Sequence, residues 1–232
     1  MSEVSSGPDG GGSANTLYKK DFWREENLKY TRPHYRMEKI ARLINKLAAG
    51  EQRTLLDVGC GPATLQSLLR PNIRYHGIDI AIQNPAPNLI ESDFLEKPIT
   101  FGGQRFDIIV AQGVFEYVGE FQSQKFAEIA RLLNDDGMFV ASYVNFDHRQ
   151  RDVYGPYSNV QPFKDFRASA AEHFEIRRFF PTSHNWNHYE PSRKLIRGAN
   201  MHINAYVPFV SPVLAVEYFL ICAPRRGAAP RS

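Results

Sequence analysis

The chain has 232 residues, with 28 Lys and Arg against 25 Asp and Glu for a formal charge of +3, and the cations are scattered, with no run of five or more. Such a balance predicts no nucleic-acid interface held by charge alone. Two cysteines exclude a disulfide framework, while the lack of an 18-residue apolar stretch or a charged-then-apolar leader predicts a cytoplasmic protein that neither spans a membrane nor is secreted.

In chain order, residues 1–16 are crowded with Ser and Gly and predict a disordered tail, since they bury too little apolar surface to offset ordering entropy. One domain is expected over 17–224, with residues 17–50 as an amino-terminal cap and 225–232 as a second disordered tail. Within the cap, Met37, Ile40, Leu43, Ile44 and Leu47 recur at helical spacing behind Pro33 and stop before Gly50. The apolar run Thr54-Leu55-Leu56-Asp57-Val58 predicts a buried strand that ends in a small-residue turn, Gly59-Cys60-Gly61-Pro62-Ala63. Tyr75-His76-Gly77-Ile78-Asp79 predicts a second strand. Leu89 to Phe94 predicts a third, short or displaced because only Ala81 to Asn88, with Pro85 and Pro87, precedes it. Phe106 to Gly113 supplies the fourth. A helix over Gln122 to Asn134 turns through Asp135-Asp136-Gly137 into a fifth strand, Met138 to Val144. A helix at Pro162 to Phe174, a strand at Glu175 to Thr182 and a last strand at Val213 to Cys222 complete the α/β alternation of a Rossmann-like sheet. The long connection 184–212 carries Trp186, His188, Tyr189, Met201 and Phe209 and predicts an ordered lid.

The turn after the first strand narrows the ligand. A dinucleotide fingerprint, G-x-G-x-x-G/A, would need a small residue where Thr64 stands. The pattern present, Asp57-x-Gly59-x-Gly61-x-Ala63, resembles the nucleotide loop of class I S-adenosylmethionine-dependent methyltransferases, with Ala63 where that family usually has glycine. Asp79, about 20 residues further on, ends the second strand, where a carboxylate can accept the ribose hydroxyls.

This resemblance, carried by residues 54–118, implies a doubly wound, mostly parallel seven-stranded sheet with an antiparallel last strand and helices on both faces. It implies S-adenosyl-L-methionine as cofactor and S-adenosyl-L-homocysteine as product. The residues it assigns to that ligand are Asp57, Gly59, Cys60 and Gly61 in the loop, Asp79 and Ile80 at the ribose, and Asp93 and Phe94 at the adenine. Gln112 and Gly113 fall at the sulfonium and methyl end. Tyr30 and Arg32 are expected from an amino-terminal segment that closes over the cofactor. Glu116-Tyr117 stands where related enzymes often show Glu-His, and Tyr117 in place of His favours a polar substrate or sulfonium contact there over a base.

In-line methyl displacement depends mainly on alignment, and a base is needed only for a hydroxyl or a protonated amine. The candidates are His148, His184 and His188 in the substrate-facing segments, with Tyr117 beside them. Ala111-Gln112-Gly113-Val114 lacks the Asn/Asp-Pro-Pro-aromatic turn of enzymes that methylate planar amino groups, and neither Cys60 nor Cys222 has the setting of a cytosine-C5 nucleophile. The expected acceptor is a small molecule methylated on oxygen or nitrogen, such as a secondary metabolite or a sugar, with no metal, nucleic acid or membrane partner, by a monomer or homodimer. RNA or protein methylation and non-catalytic cofactor binding are the alternatives.

Overall fold

The structure is a computed structural model that describes residues 20–48, 50–145, 161–184 and 205–225. The expected terminal tails, Arg225 apart, and most of the expected lid lie outside these residues. Seven strands form one sheet in the order β3-β2-β1-β4-β5-β7-β6. Their ranges are β1 Arg53–Val58, β2 Ile73–Asp79, β3 Leu89–Glu91, β4 Phe106–Ala111, β5 Leu133–Val144, β6 Phe174–His184 and β7 Ala215–Pro224. β1 pairs in parallel with β2 and β4, β2 with β3, and β4 with β5. β7 runs antiparallel between β5 and β6. The central strands are near-continuous apolar runs because both faces of the sheet are covered.

The helices are α1 Lys20–Glu26, α2 Tyr35–Leu47, α3 Gln122–Leu132, α4 Phe163–His173 and the single turn α5 Ser211–Leu214. Amphipathic spacing places Ile40, Ala41 and Ile44 of α2 against one face, over Leu55, Ile108 and Val110. α3 and α4 cover the other face with an aromatic core. Phe115 stacks on Phe126 at 4.4 Å between ring centroids and Tyr143 on Phe166 at 4.0 Å. None of the described helices is long and apolar enough to cross a membrane.

Several boundaries differ from the sequence expectation. β5 begins at Leu133 rather than Met138, because Leu133 already pairs with Phe106 before a register shift leads into Ile108 and Met138. Its polar run Asn134 to Gly137 is therefore an irregularity inside a strand rather than the turn before one. β6 runs on through His184 across three register shifts on the β7 side, the second at Pro181, so His184 belongs to a strand and not to a lid. The third strand is indeed short, three residues that stop at Glu91, two before Asp93.

Candidate active site

β1, β2 and β4 all deliver their carboxyl ends to the same edge of the sheet, and a crevice opens there between these ends and the amino-terminal segment. Its floor begins at Gly59, whose φ of +71° and whose closeness to the Val114 side chain leave no room for a Cβ. Ala63 also adopts the left-handed region, φ 58°, at the position where glycine fits without strain.

Two buried carboxylates face this loop. Asp57 accepts a hydrogen bond from the Tyr75 hydroxyl at 2.8 Å. Burial pushes its carboxyl up to about 7, against the lowering effect of that bond, and the nearby Asp79 charge adds to the rise. Asp79 is raised as well, again by burial, although donors oppose it. Its Oδ2 accepts from Gly61 N at 2.8 Å, and its Oδ1 accepts from Ala81 N at 2.9 Å and from Asn27 Nδ2 at 3.3 Å. Among the described residues only neutral donors hold the two acids, so this floor suits a ligand that brings positive charge and hydroxyl donors. Burial and the same two acids hold the Cys60 thiol neutral.

The roof is α1 and the following turn of 3-10 helix, Asn27–Tyr30. It is fastened along its length. Lys20 pairs with Glu91, Gln83 Nε2 donates to Arg24 O at 2.8 Å, and Thr64 Oγ1 donates to Tyr30 O at 2.6 Å. The Trp23 ring meets Tyr117 edge-on at 4.9 Å between centroids. Asn27, buried, ties the roof to Asp79 and to Ala81 O.

Arg36, in the first turn of α2, also lines the crevice, and its Nη1 donates to Glu217 Oε1 at 3.2 Å. Behind Tyr117, buried Glu116 accepts from Val144 N at 2.9 Å through Oε1. Burial, then the Glu217 charge, push the Glu116 carboxyl up to about 7.

Of the residues expected at the ligand, Asp57, Gly59, Cys60, Gly61, Asp79, Ile80, Asp93, Phe94, Gln112, Gly113 and Tyr30 all line the crevice, as does Tyr117. Arg32 does not. It precedes the first turn of α2 and is exposed, and Arg36 takes the inward position in its place. His184 is also corrected: it is fully buried at the end of β6, beside Ala215 of β7, its Nε2 meets Ser211 Oγ of α5 at 2.9 Å, and it does not line the crevice. His148 and His188 lie outside the described residues. Residues not anticipated are Asn27, His34, Arg36, Met37, Leu65, Leu95 and Val114. Arg36 had a readable signal, since it precedes Ile40 and Ile44 at four-residue spacing on the apolar face of α2.

A mostly parallel sheet with an antiparallel strand next to its edge, and paired acids over a glycine loop at its carboxyl end, match the architecture that the resemblance implied for a class I S-adenosylmethionine-dependent methyltransferase. A methyltransferase-domain family model matches residues 32–204, and the chain belongs to that family. Solved structures share the fold. A TehB-like S-adenosylmethionine-dependent methyltransferase from Corynebacterium glutamicum is 19% identical, over 87% of this chain and 95% of that one, with a TM-score of 0.56. The CcbJ methyltransferase from Streptomyces caelestis is 14% identical, over 83% and 90%, with a TM-score of 0.58. A methyltransferase in complex with the Haloferax volcanii Trm112 activator is 16% identical, over 87% and 95%, with a TM-score of 0.60. No curated protein sequence matches the chain.

The residues present fit the family's cofactor. The under-neutralised Asp57 suits an α-ammonium, Arg36 a carboxylate and Asp79 a ribose hydroxyl.

Proposed function

We propose that this methyltransferase acts on an oxygen or nitrogen of a small-molecule acceptor. The roof carries this reading. Because Trp23 closes against Tyr117 at the methyl end and the segment is fastened at Glu91, Gln83, Asp79 and Thr64, a nucleic-acid strand or a protein helix would have to displace it to approach. A small acceptor would not.

When bound, S-adenosylmethionine supplies a methyl carbon already activated by a positively charged sulfur. Asp79, with Tyr30, would hold the sugar end, Asp93 and Phe94 would flank the adenine, and Asp57 and Arg36 would hold the amino-acid end. Gln112, Gly113 and Tyr117 then border the acceptor. Gly113 is itself fixed there, because its N–H donates to Ser142 Oγ at 2.9 Å. Alignment of the two reactants supplies roughly 7 to 11 kcal/mol of the barrier. For a hydroxyl or ammonium acceptor, a base adds about 10²- to 10⁴-fold, and that role falls to His148 or His188, with Tyr117 as a polar contact.

The test is calorimetry with S-adenosylhomocysteine, followed by measurement of its release in panels of small amines, phenols and sugars, of RNA, and of proteins. Turnover with small acceptors is the expected result. Turnover confined to RNA or protein overturns the small-molecule assignment.

A further inference from the structure

The hydrogen-bond capacity of Asp79 is nearly used up before any ligand arrives. A carboxylate offers about four acceptor positions. Gly61 N, Ala81 N and Asn27 Nδ2 fill three of them. A ribose brings two neighbouring hydroxyls, each a donor, so one hydroxyl needs another acceptor.

Asn27 presents one. It is 4% exposed and lines the crevice. Its Nδ2 donates to Asp79 Oδ1 and to Ala81 O, both at 3.3 Å, which uses both amide hydrogens and fixes the amide's orientation. A flipped amide would set its oxygen against two acceptors. Oδ1 is therefore directed to the other side, beside the glycine loop, 3.3 Å from where a Cβ on Gly61 would stand. No described group donates to it.

We infer that Asn27 is a ribose-binding residue, and that the diol is shared, one hydroxyl to the Asp79 carboxylate and one to Asn27 Oδ1. This rests on the cofactor assignment above. It makes the roof part of the nucleoside site, because Asn27 sits at the junction of α1 and the 3-10 turn that Thr64 fastens down.

The experiment compares S-adenosylhomocysteine with its 2′-deoxy and 3′-deoxy forms by calorimetry, on the wild-type chain, Asn27→Ala and Asp79→Asn. In the wild type both deoxy forms should bind more weakly. Asn27→Ala should weaken the parent ligand roughly 3- to 10-fold, the range for one net hydrogen bond. It should also abolish the penalty for one missing hydroxyl and keep the other. In Asp79→Asn one of the two deoxy penalties should persist, the one that Asn27→Ala removes, and the survival of a single penalty is an answer that stands even if Asn27→Ala does not fold. Equal weakening of all three ligands by Asn27→Ala, or loss of both penalties in Asp79→Asn, overturns the inference alone. A wild-type chain that binds none of the three overturns the cofactor assignment beneath it.

Discussion

Asp57 concentrates the conflict between folding and binding in one side chain. Its carboxyl is raised from 3.8 to about 7 by burial, so the folded chain holds this proton more tightly than the unfolded chain does. Its contribution to stability is therefore greatest below about pH 4 and is lost as pH rises from about 4 to 7. Glu116, raised from 4.5 to about 7, acts in the same direction. His34, His76 and His173, all held below the usual histidine range chiefly by burial, oppose it, since stability lost where they must be charged returns as pH rises. The difference between wild type and Asp57→Asn isolates the one group. The variant should match the wild type near pH 4 and exceed it at pH 8 by a few kcal/mol, since each tenfold change in proton affinity is worth about 1.4 kcal/mol. Denaturant unfolding at both pH values measures this. The same variant should bind S-adenosylhomocysteine roughly 10- to 100-fold more weakly, the loss of a hydrogen bond to a charged group. A variant no more stable than wild type at pH 8 would show that Asp57 is neutralised by other means.

At the scale of elements, α2 shows how far periodicity reaches. The predicted apolar positions Ile40 and Ile44 are buried, and the helix begins at Tyr35 with His34 as its cap. Ile44→Ala should cost about 2 to 5 kcal/mol of unfolding free energy, the range for cavity-forming truncations, whereas Arg42→Ala on the exposed side should stay within about 0.5 kcal/mol. Equal losses at both positions would mean that α2 is not packed on the sheet. The strands were legible for the same reason, since Leu55, Leu56, Ile108 and Ile109 form apolar runs that need two covered faces. Asp57 and Asp79 were legible because each interrupts or ends such a run. The start of β5 was not, because Asp135, Asp136 and Gly137 carry turn chemistry while Arg105 holds the bulge open through Leu133 O and Asp135. Asn27 was not legible either. Its partners Asp79 and Ala81 lie more than 50 residues away, and no local spacing reports a contact made by fold-back of the roof.

For the whole molecule, the ligand site joins parts of the chain that are distant in sequence: the roof, α2, and the carboxyl ends of β1, β2 and β4. A ligand seated there must therefore favour the fully folded chain over any state in which one part has come loose. At a concentration about 100 times its dissociation constant, such a ligand adds about 2.7 kcal/mol of stability. For a domain of this size each kcal/mol moves the melting temperature by about 2 to 4 °C, so S-adenosylhomocysteine should raise it by roughly 5 to 10 °C. Charge predicts the opposite for nucleic acid. With a formal charge of only +3 and no run of cations in the sequence, unstructured RNA at about 0.15 M salt should leave the transition unmoved. Thermal scans with each ligand separate the two expectations. An unchanged transition with S-adenosylhomocysteine would remove the crevice as its site, and a shift with RNA of similar size would reveal a basic surface that composition does not foretell.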